Sequence, residues 1–345
     1  MDRESKLVER IARAFSAKAR RRHDADLRLG IGDDAAVIAS GTKNDWVLSC
    51  DAFLEGIHFH AKSHPPDSVG YKSLVRATSD LAAMGSVPRF FLLTLALPAA
   101  RTGAWLASFL RGMARAARSM NMTLLGGDTT KNQTVSISIT VIGQIARGQE
   151  VTRAGARPGD LIYVSGRLGR AQLGLEILLN TQSPAKALAG SNNQVSRALR
   201  RLPRPHLYPT IKLDLGAWLA KHRVASAMMD ISDGLSTDLA RLCAASRVGA
   251  QVRSEFIPCV SLPEALSKHL KRLKLDPLKM ALDGGDDYEL LFTISPRNVR
   301  KLSKSPGFFQ LTKIGKVTRG KAITLIGPNG SKQLLKPGGW DPFRS

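Results

Sequence analysis

The glycine-, proline- and arginine-rich segment GQEVTRAGARPGD, near residue 150, splits the chain into two runs in which short apolar segments alternate with amphipathic ones. That alternation constrains the fold most. Apolar residues recurring every three and four positions mark a helix, whereas short β-branched runs bounded by turn residues mark strands. Upstream of the break, Leu7, Val8, Ile11, Ala12 and Phe15 share one helical face. DDAAVIA, DWVLSCD, RFFLLTLALP and VSISITVIGQ then read as strands, and SVGYKSLVRATSDLAAMG and TGAWLASFLRGMARAARSMN as helices. Downstream, LIYVSG reads as a strand, GRAQLGLEILL as a helix, NTQSPAKALAGSNNQ as a polar connection, TIKLDLGAWLAKH as a helix and ASAMM as a strand. DYELLFTI, QLTKIGKV and AITLIG supply later strands. A chain of 345 residues exceeds one compact domain, so two α/β domains are expected, over residues 1–150 and 151–345.

Composition excludes several classes. Hydrophobic residues make up 43% and charged residues 23%, which rules out a disordered, collagenous or fibrous chain. The longest apolar run, FFLLTLALPAA, is shorter than a membrane span and contains Pro98, and the opening MDRESK lacks an apolar signal core. Cys50, Cys243 and Cys259 are dispersed and form no CxxC pair, which fits a reducing compartment; the expected location is cytoplasmic, with no membrane partner. A net charge of +23 attracts polyanions without choosing among them. Its densest runs, SAKARRRH and SRALRRLPRPH, interleave no aromatics as a single-strand platform would, so they read as solvated basic loops and nucleic acid is not the expected partner.

Against that basic background the acids are grouped. MMDISDGLSTDL carries Asp230, Asp233 and Asp238, GIGDDAAVI carries Asp33 and Asp34, and LSCDAFLEGIHF carries Asp51. SDLAAMG carries Asp80, LLGGDTTK carries Asp128, and LDGGDDYELLF carries Asp286 and Asp287. A strand ending at Met229 and a helix starting near Ser232 put Asp230 and Asp233 at a strand's C-terminal lip, where α/β proteins hold ligands. Taken alone, that stretch fits helix capping by Ser232 or Asp233 equally well. Together the windows contain almost no lysine or arginine, so something else must neutralise them. Two carboxylates about 4 Å apart repel by roughly 4 kcal/mol at an effective dielectric of 20, and a folded cluster therefore needs a proton or a cation. Oxygen ligands without a histidine or cysteine set point to magnesium. Glycine-flanked loops suggest a nucleotide, yet G-x-x-x-x-G-K-[ST] and the kinase H-R-D and D-F-G motifs are absent. The residues alone reach a magnesium-dependent enzyme that handles phosphate esters.

LGIGDDAAV, SCDAFLEGIHF, YKSLVRATSDLAAMG, LLGGDTT, TRAGARPGDLIYVSG, MMDISDGLSTDL and GGDDYELLFT, in this order from about residue 29 to 294, resemble the thiamine-monophosphate kinase family. That family belongs to the superfamily of aminoimidazole ribonucleotide synthetase and selenophosphate synthetase. The resemblance implies two α/β domains of mixed sheets packed with helices, an α+β architecture with the active site in the interdomain cleft and a homodimer formed through the N-terminal sheets. It implies transfer of the γ-phosphoryl group of ATP to thiamine monophosphate, aided by several Mg2+ ions. Asp34, Ser49, Cys50, Asp51, Asp80, Asp128, Asp230 and Asp233 fall at metal-ligand positions, Cys50 through its backbone carbonyl; Asp51, Asp80, Asp128 and Asp230 are the expected catalytic set. Asp33 fits either a metal ligand or a brace for its own loop. Gly127, Asp128, Arg153 and Ser232 fall at ATP-contacting positions, and His58, Asp286 and Trp340 at positions that meet thiamine phosphate. A packed histidine and a surface-anchoring tryptophan are the competing readings of His58 and Trp340. Two positions depart from the family pattern: Cys50 stands in place of a hydroxyl residue, and Asp286 in place of a glutamate. Another enzyme of the superfamily, with a different acceptor, is the alternative reading; a basic nucleic-acid-binding protein on the same scaffold is the more distant one.

Overall fold

A computed structural model describes residues 3–15, 26–41, 43–180, 201–262, 274–307 and 309–343. Most of the polar connection NTQSPAKALAGSNNQ and the whole run SAKARRRH lie outside them. The first half comprises α1 (Arg3–Phe15), β1 (Leu27–Leu29), β2 (Ala36–Ala39), β3 (Asn44–Leu54), α2 (Pro66–Ala83), β4 (Val87–Leu97), α3 (Ala104–Ser119), β5 (Thr123–Lys131) and β6 (Ser136–Ala146). Its six strands form one sheet in the order β1-β2-β3-β6-β4-β5. Only β4 and β5 run parallel, because α3 returns the chain between them; the other pairs are antiparallel.

Alternation along the strands decides which face is covered. Val47 and Phe53 of β3, Phe91, Leu93 and Leu95 of β4, and Ile137, Ile139 and Val141 of β6 are buried beneath α2 and α3. Their neighbours in sequence point to the opposite face, where Leu92 remains 38% exposed. The helices cross closely: a Cβ on Gly70 would lie 2.0 Å from the Phe109 carbonyl oxygen, and one on Gly112 1.8 Å from that of Asp67.

The second half comprises β7 (Leu161–Ser165), α4 (Arg170–Asn180), α5 (Arg204–Leu207), α6 (Leu213–Lys221), β8 (Ala227–Ile231), α7 (Leu235–Ser246), β9 (Gly249–Arg253), α8 (Pro277–Asp283), β10 (Glu289–Ile294), β11 (Leu311–Thr318), β12 (Ile323–Ile326) and β13 (Lys332–Leu334). Seven strands form a sheet in the order β13-β12-β9-β11-β7-β10-β8, parallel only between β9 and β12. One apolar cluster spans both halves, while another, around Ile162, Met229, Leu239 and Val252, lies within the second. Leu215, Leu219, Met228, Leu290 and Phe292 join the cluster of the first half, and a Cβ on Gly216 would meet the Ala82 carbonyl oxygen at 2.1 Å. Helix α2 is thus enclosed on nearly every side, which is why Ser68, Lys72, Ser73 and Ser79 are buried along with its apolar residues.

Candidate active site

Three of the grouped aspartates meet where the halves join. Asp34 lies ahead of β2, Asp80 in the last turns of α2 and Asp230 on β8, and one carboxylate oxygen of each falls within 4.8 Å of the others. Strand β8 carries Asp230 because its ladder with β10 continues past Met229, pairing Asp230 with Leu290 and Ile231 with Glu289. The apolar pattern stops at Met229, so the strand runs two residues further than expected and α7 begins at Leu235 instead of near Ser232. Gly234, at φ +105°, supplies the turn between them. Neither Ser232 nor Asp233 caps α7. Asp238 ties the turn instead, its Oδ2 accepting the Ser232 and Asp233 backbone N–H groups at 3.1 and 3.0 Å.

The trio is short of neutralising charge. Burial first, then repulsion from Asp34, pushes Asp230 up to about 7. Burial, then Asp51, Asp230 and Asp34, holds Asp80 well above the usual carboxylate range. Ser79 Oγ donates to Asp230 Oδ2 at 2.6 Å, Ser49 Oγ donates to Asp80 Oδ2, and Arg153 pairs with Asp34 Oδ1. Asp34 Oδ2 is nonetheless buried and has no hydrogen-bond partner among the described residues. An orphaned carboxylate oxygen beside two more carboxylates, with no nitrogen or sulfur donor in the group, fits a hard divalent cation such as magnesium.

The remaining metal-ligand candidates divide. Asp51 lies close enough to raise Asp80, while its Oδ2 accepts Arg76 Nε at 3.1 Å. Ser49 shares the inward face of β3, whereas Cys50 is exposed on the opposite face with Sγ 3.5 Å from Ser138 Oγ, so its thiol points away from the trio. Asp33 braces its loop: Oδ1 accepts the Asp34 N–H at 3.0 Å, and both oxygens face the Arg153 N–H at 3.1 to 3.2 Å. Burial, then Asp34, raises Asp33 to about 6. Asp233 pairs with Arg241, which also holds Asp238 at 3.3 Å and Glu4 of α1 at 2.7 Å. Asp128 and Gly127 sit on the exposed edge strand β5, outside the trio, and Gly127 (φ +155°) packs so tightly that a Cβ would lie 1.7 Å from the Leu93 carbonyl oxygen.

Beside these acids opens a cavity of about 490 Å³ lined by His58, Arg76, Ser232, Asp233, Asp286 and Trp340 among others. The backbone of GGW lies across the start of α7. Gly338 N–H donates to Ser236 Oγ, Gly339 N–H to Thr237 Oγ1 and Trp340 N–H to the Asp233 carbonyl, while a Cβ on Gly339 would meet that carbonyl oxygen at 1.8 Å. Trp340, 45% exposed, is thereby held at the cavity's rim. His58 Nδ1 accepts the Leu54 N–H at 3.0 Å, and burial followed by Arg76 lowers the ring to about 4, so it is neutral with its proton on Nε2. Asp286 pairs with Lys72 at 2.7 Å. Burial alone would raise Asp286, but the positive charges of Lys72 and Arg76 beside it hold it well below the carboxylate range.

Sequence reasoning passed over Lys72, Arg76, Ser79, His206 and Arg241. The signal for Lys72, Arg76 and Ser79 was present: the first two recur with Asp80 every four residues in YKSLVRATSD and so form one stripe of α2, with Ser79 beside it.

Comparison with known proteins bears on this geometry. The family profiles of the AIR synthase related protein, N-terminal and C-terminal domains, match residues 32–145 and 157–327. The thiamine-monophosphate kinase of Escherichia coli (strain K12) is 36% identical over 320 residues, covering 92% of this chain and 93% of that protein. The Bacillus subtilis protein of the same name is 29% identical over 93% of this chain and 95% of its own length. Among solved structures, AaThiL complexed with AMPPCP and TMP superimposes with a TM-score of 0.78 at 31% identity, covering 98% of this chain and 96% of the other.

Proposed function

Because the chain belongs to the thiamine-monophosphate kinase family of AIR synthase related proteins, we propose that it transfers the γ-phosphoryl group of ATP to thiamine monophosphate, giving thiamine diphosphate and ADP. The observation that carries this reading is the convergence of Asp34, Asp80 and Asp230, from both halves of the chain, beside a cavity lined by His58, Asp286 and Trp340. The related complex with AMPPCP and TMP, read as an ATP analogue and thiamine monophosphate, supports a two-ligand site. An oxygen of the acceptor phosphate attacks the γ-phosphorus in line, the bond to the β–γ bridging oxygen breaks, and ADP departs with the electron pair. Both reactants are anions, so the protein's task is positioning and charge neutralisation.

We assign Asp34, Asp80 and Asp230, with Asp51 adjacent, to holding Mg2+; bound there, Mg2+ supplies the positive charge that lets two phosphates approach. Arg153, paired with Asp34, is suited to a nucleotide phosphate, as are Ser232 and the backbone at Gly127 and Asp128. His58, neutral with Nε2–H available, and Asp286 offer one donor and one carboxylate to the acceptor. The Trp340 face suits a thiazolium cation, worth roughly 0.5 to 2 kcal/mol. We further read the chain as two domains meeting near residue 150 and as a homodimer through the N-terminal sheet, a reading that the uncovered Leu92 face supports. A cytoplasmic location fits three free cysteines, and no helix among the described residues is long and apolar enough to cross a membrane. The deciding measurement is mass-spectrometric detection of thiamine diphosphate from purified protein, ATP, Mg2+ and thiamine monophosphate. ADP release that depends on a different acceptor, with no thiamine diphosphate formed, overturns the assignment.

A further inference from the structure

Asp286 lies in the loop between α8 and β10, and every polar atom of its side chain is spoken for. Its Oδ1 accepts the Tyr288 hydroxyl at 2.7 Å, and its Oδ2 accepts Lys72 Nζ at 2.7 Å with His206 Nδ1 at 3.5 Å. The loop backbone is held as firmly: Asp286 N–H donates to the Ser232 carbonyl and Tyr288 N–H to that of Ile231, both at 2.8 Å. Asp286 and Tyr288 take left-handed φ values of +66° and +50°, a conformation that non-glycine residues keep only where their surroundings impose it. The intervening Asp287 turns the other way, accepting the N–H groups of Gly169 and Ala171 at the start of α4.

Behind Asp286 stands a chain of buried side chains from separate elements: Lys72 of α2, His206 of α5 and His64 just ahead of α2, exposed by only 1%, 3% and 3%. His64 Nδ1 lies 3.2 Å from the His60 backbone nitrogen and 3.1 Å from the His60 carbonyl oxygen, which ties the ring to the turn ahead of α2. His64 Nε2 faces His206 Nε2 at 3.1 Å, and His206 Nδ1 lies 3.5 Å from Asp286 Oδ2. Lys72 Nζ is 3.3 Å from both nitrogens of the His206 ring, an approach that requires a neutral imidazole. Lys72 does not line the cavity; Asp286, His206 and His64 do. Lys72 bears the desolvation cost of a buried ammonium while Asp286 reaches the cavity wall, so the pair serves to hold the carboxylate in one orientation there.

We propose that Lys72, His206 and His64 form a positioning unit that fixes Asp286 and the loop 284–288 for the thiamine monophosphate subsite. The inference rests on the functional reading above. It assigns no contact with ATP to these residues, so its signature is a split between the two substrates.

The test measures KM for each substrate, kcat and Tm in Lys72→Met, His206→Leu and His206→Asn. Lys72→Met is expected to raise KM for thiamine monophosphate tenfold or more while KM for ATP stays within twofold. His206→Leu is expected to raise the same KM, and His206→Asn, whose amide keeps both a donor and an acceptor near the position of ring Nδ1, to keep it near the unsubstituted value. In the Lys72→Met background, Asp286→Asn should add little further loss, because the carboxylate is already misplaced. Equal rises in both KM values, or no rise, overturn the proposal. If Lys72→Met fails to fold, the two His206 variants decide: equal KM values for Leu and Asn overturn it. If the unsubstituted chain makes no thiamine diphosphate, the functional reading falls and this inference with it, whereas normal turnover with unshifted KM values defeats this inference alone.

Discussion

At the scale of single residues, the carboxylate trio is unstable by itself. Asp230 has a folded-state pKa of about 7 against an ordinary value of 3.8. Between those values the metal-free fold holds a proton that the unfolded chain has lost. Stability of the metal-free protein therefore falls as pH rises across that window, and the penalty is complete above it. Asp230→Asn removes the charge and keeps the volume, so in EDTA near pH 8 its Tm is expected to exceed that of the unsubstituted chain. Added Mg2+ should reverse the order, since the native trio gains more from binding than the depleted one. The same substitution, and Asp80→Asn, should lower turnover on the order of 10² to 10³-fold, as expected where a group that stabilises reacting charge is lost. A Tm ranking that ignores Mg2+, or near-normal turnover in both variants, would show that these oxygens hold no ion.

At the scale of elements, α2 does two jobs that conflict in composition. It is the helix on which both halves pack, and it carries Lys72, Arg76 and Asp80 along one stripe. Close packing without bulk comes from Gly70 and Gly112, where the helices meet backbone to backbone. Gly70→Ala forces a methyl group to 2.0 Å from a carbonyl oxygen and should cost about 1 to 3 kcal/mol, read as a lower Tm. Gly307→Ala, with nothing within 4 Å of the added Cβ, should leave Tm unchanged and serves as the control. Element type was legible in the sequence wherever the apolar period was clean, as in α2, α3, β6 and β10. It was not legible at β5, whose TLLGGDTTK is all exposed and gains its strand from parallel pairing with β4. Nor were the last residues of β8, which belong to the strand only through their β10 partners. The acids of the site stood out because their windows lack cations. Their partners did not, since Lys72 meets His206 across 134 residues and Asp286 across 214.

At the scale of the whole molecule, the described residues cover the N-terminal sheet on one face only. Helices α2 and α3 cover the side bearing Phe91, Leu93 and Ile139, while the other side carries Trp46, Leu48, Phe90, Leu92 and Ile142, partly or fully exposed. Leu124 and Leu125, on the neighbouring edge strand, are 49% and 55% exposed. Apart from Arg89, the outward residues of β4 and β6 are uncharged, and several are small or hydroxylic, a surface poorly suited to water and well suited to close contact with its own copy. A twofold pairing of like faces needs no second complementary patch. Light scattering coupled to size exclusion should therefore give twice the chain mass of 37.3 kDa for the unsubstituted protein. Leu92→Lys places like charges opposite or near one another across the twofold axis while leaving the buried face untouched, so it should shift the mass towards that of one chain without a matching loss of helical and strand signal in circular dichroism. A single-chain mass for the unsubstituted protein at micromolar concentration would leave the open face without its proposed partner, and a dimer that tolerates Leu92→Lys would locate the contact elsewhere.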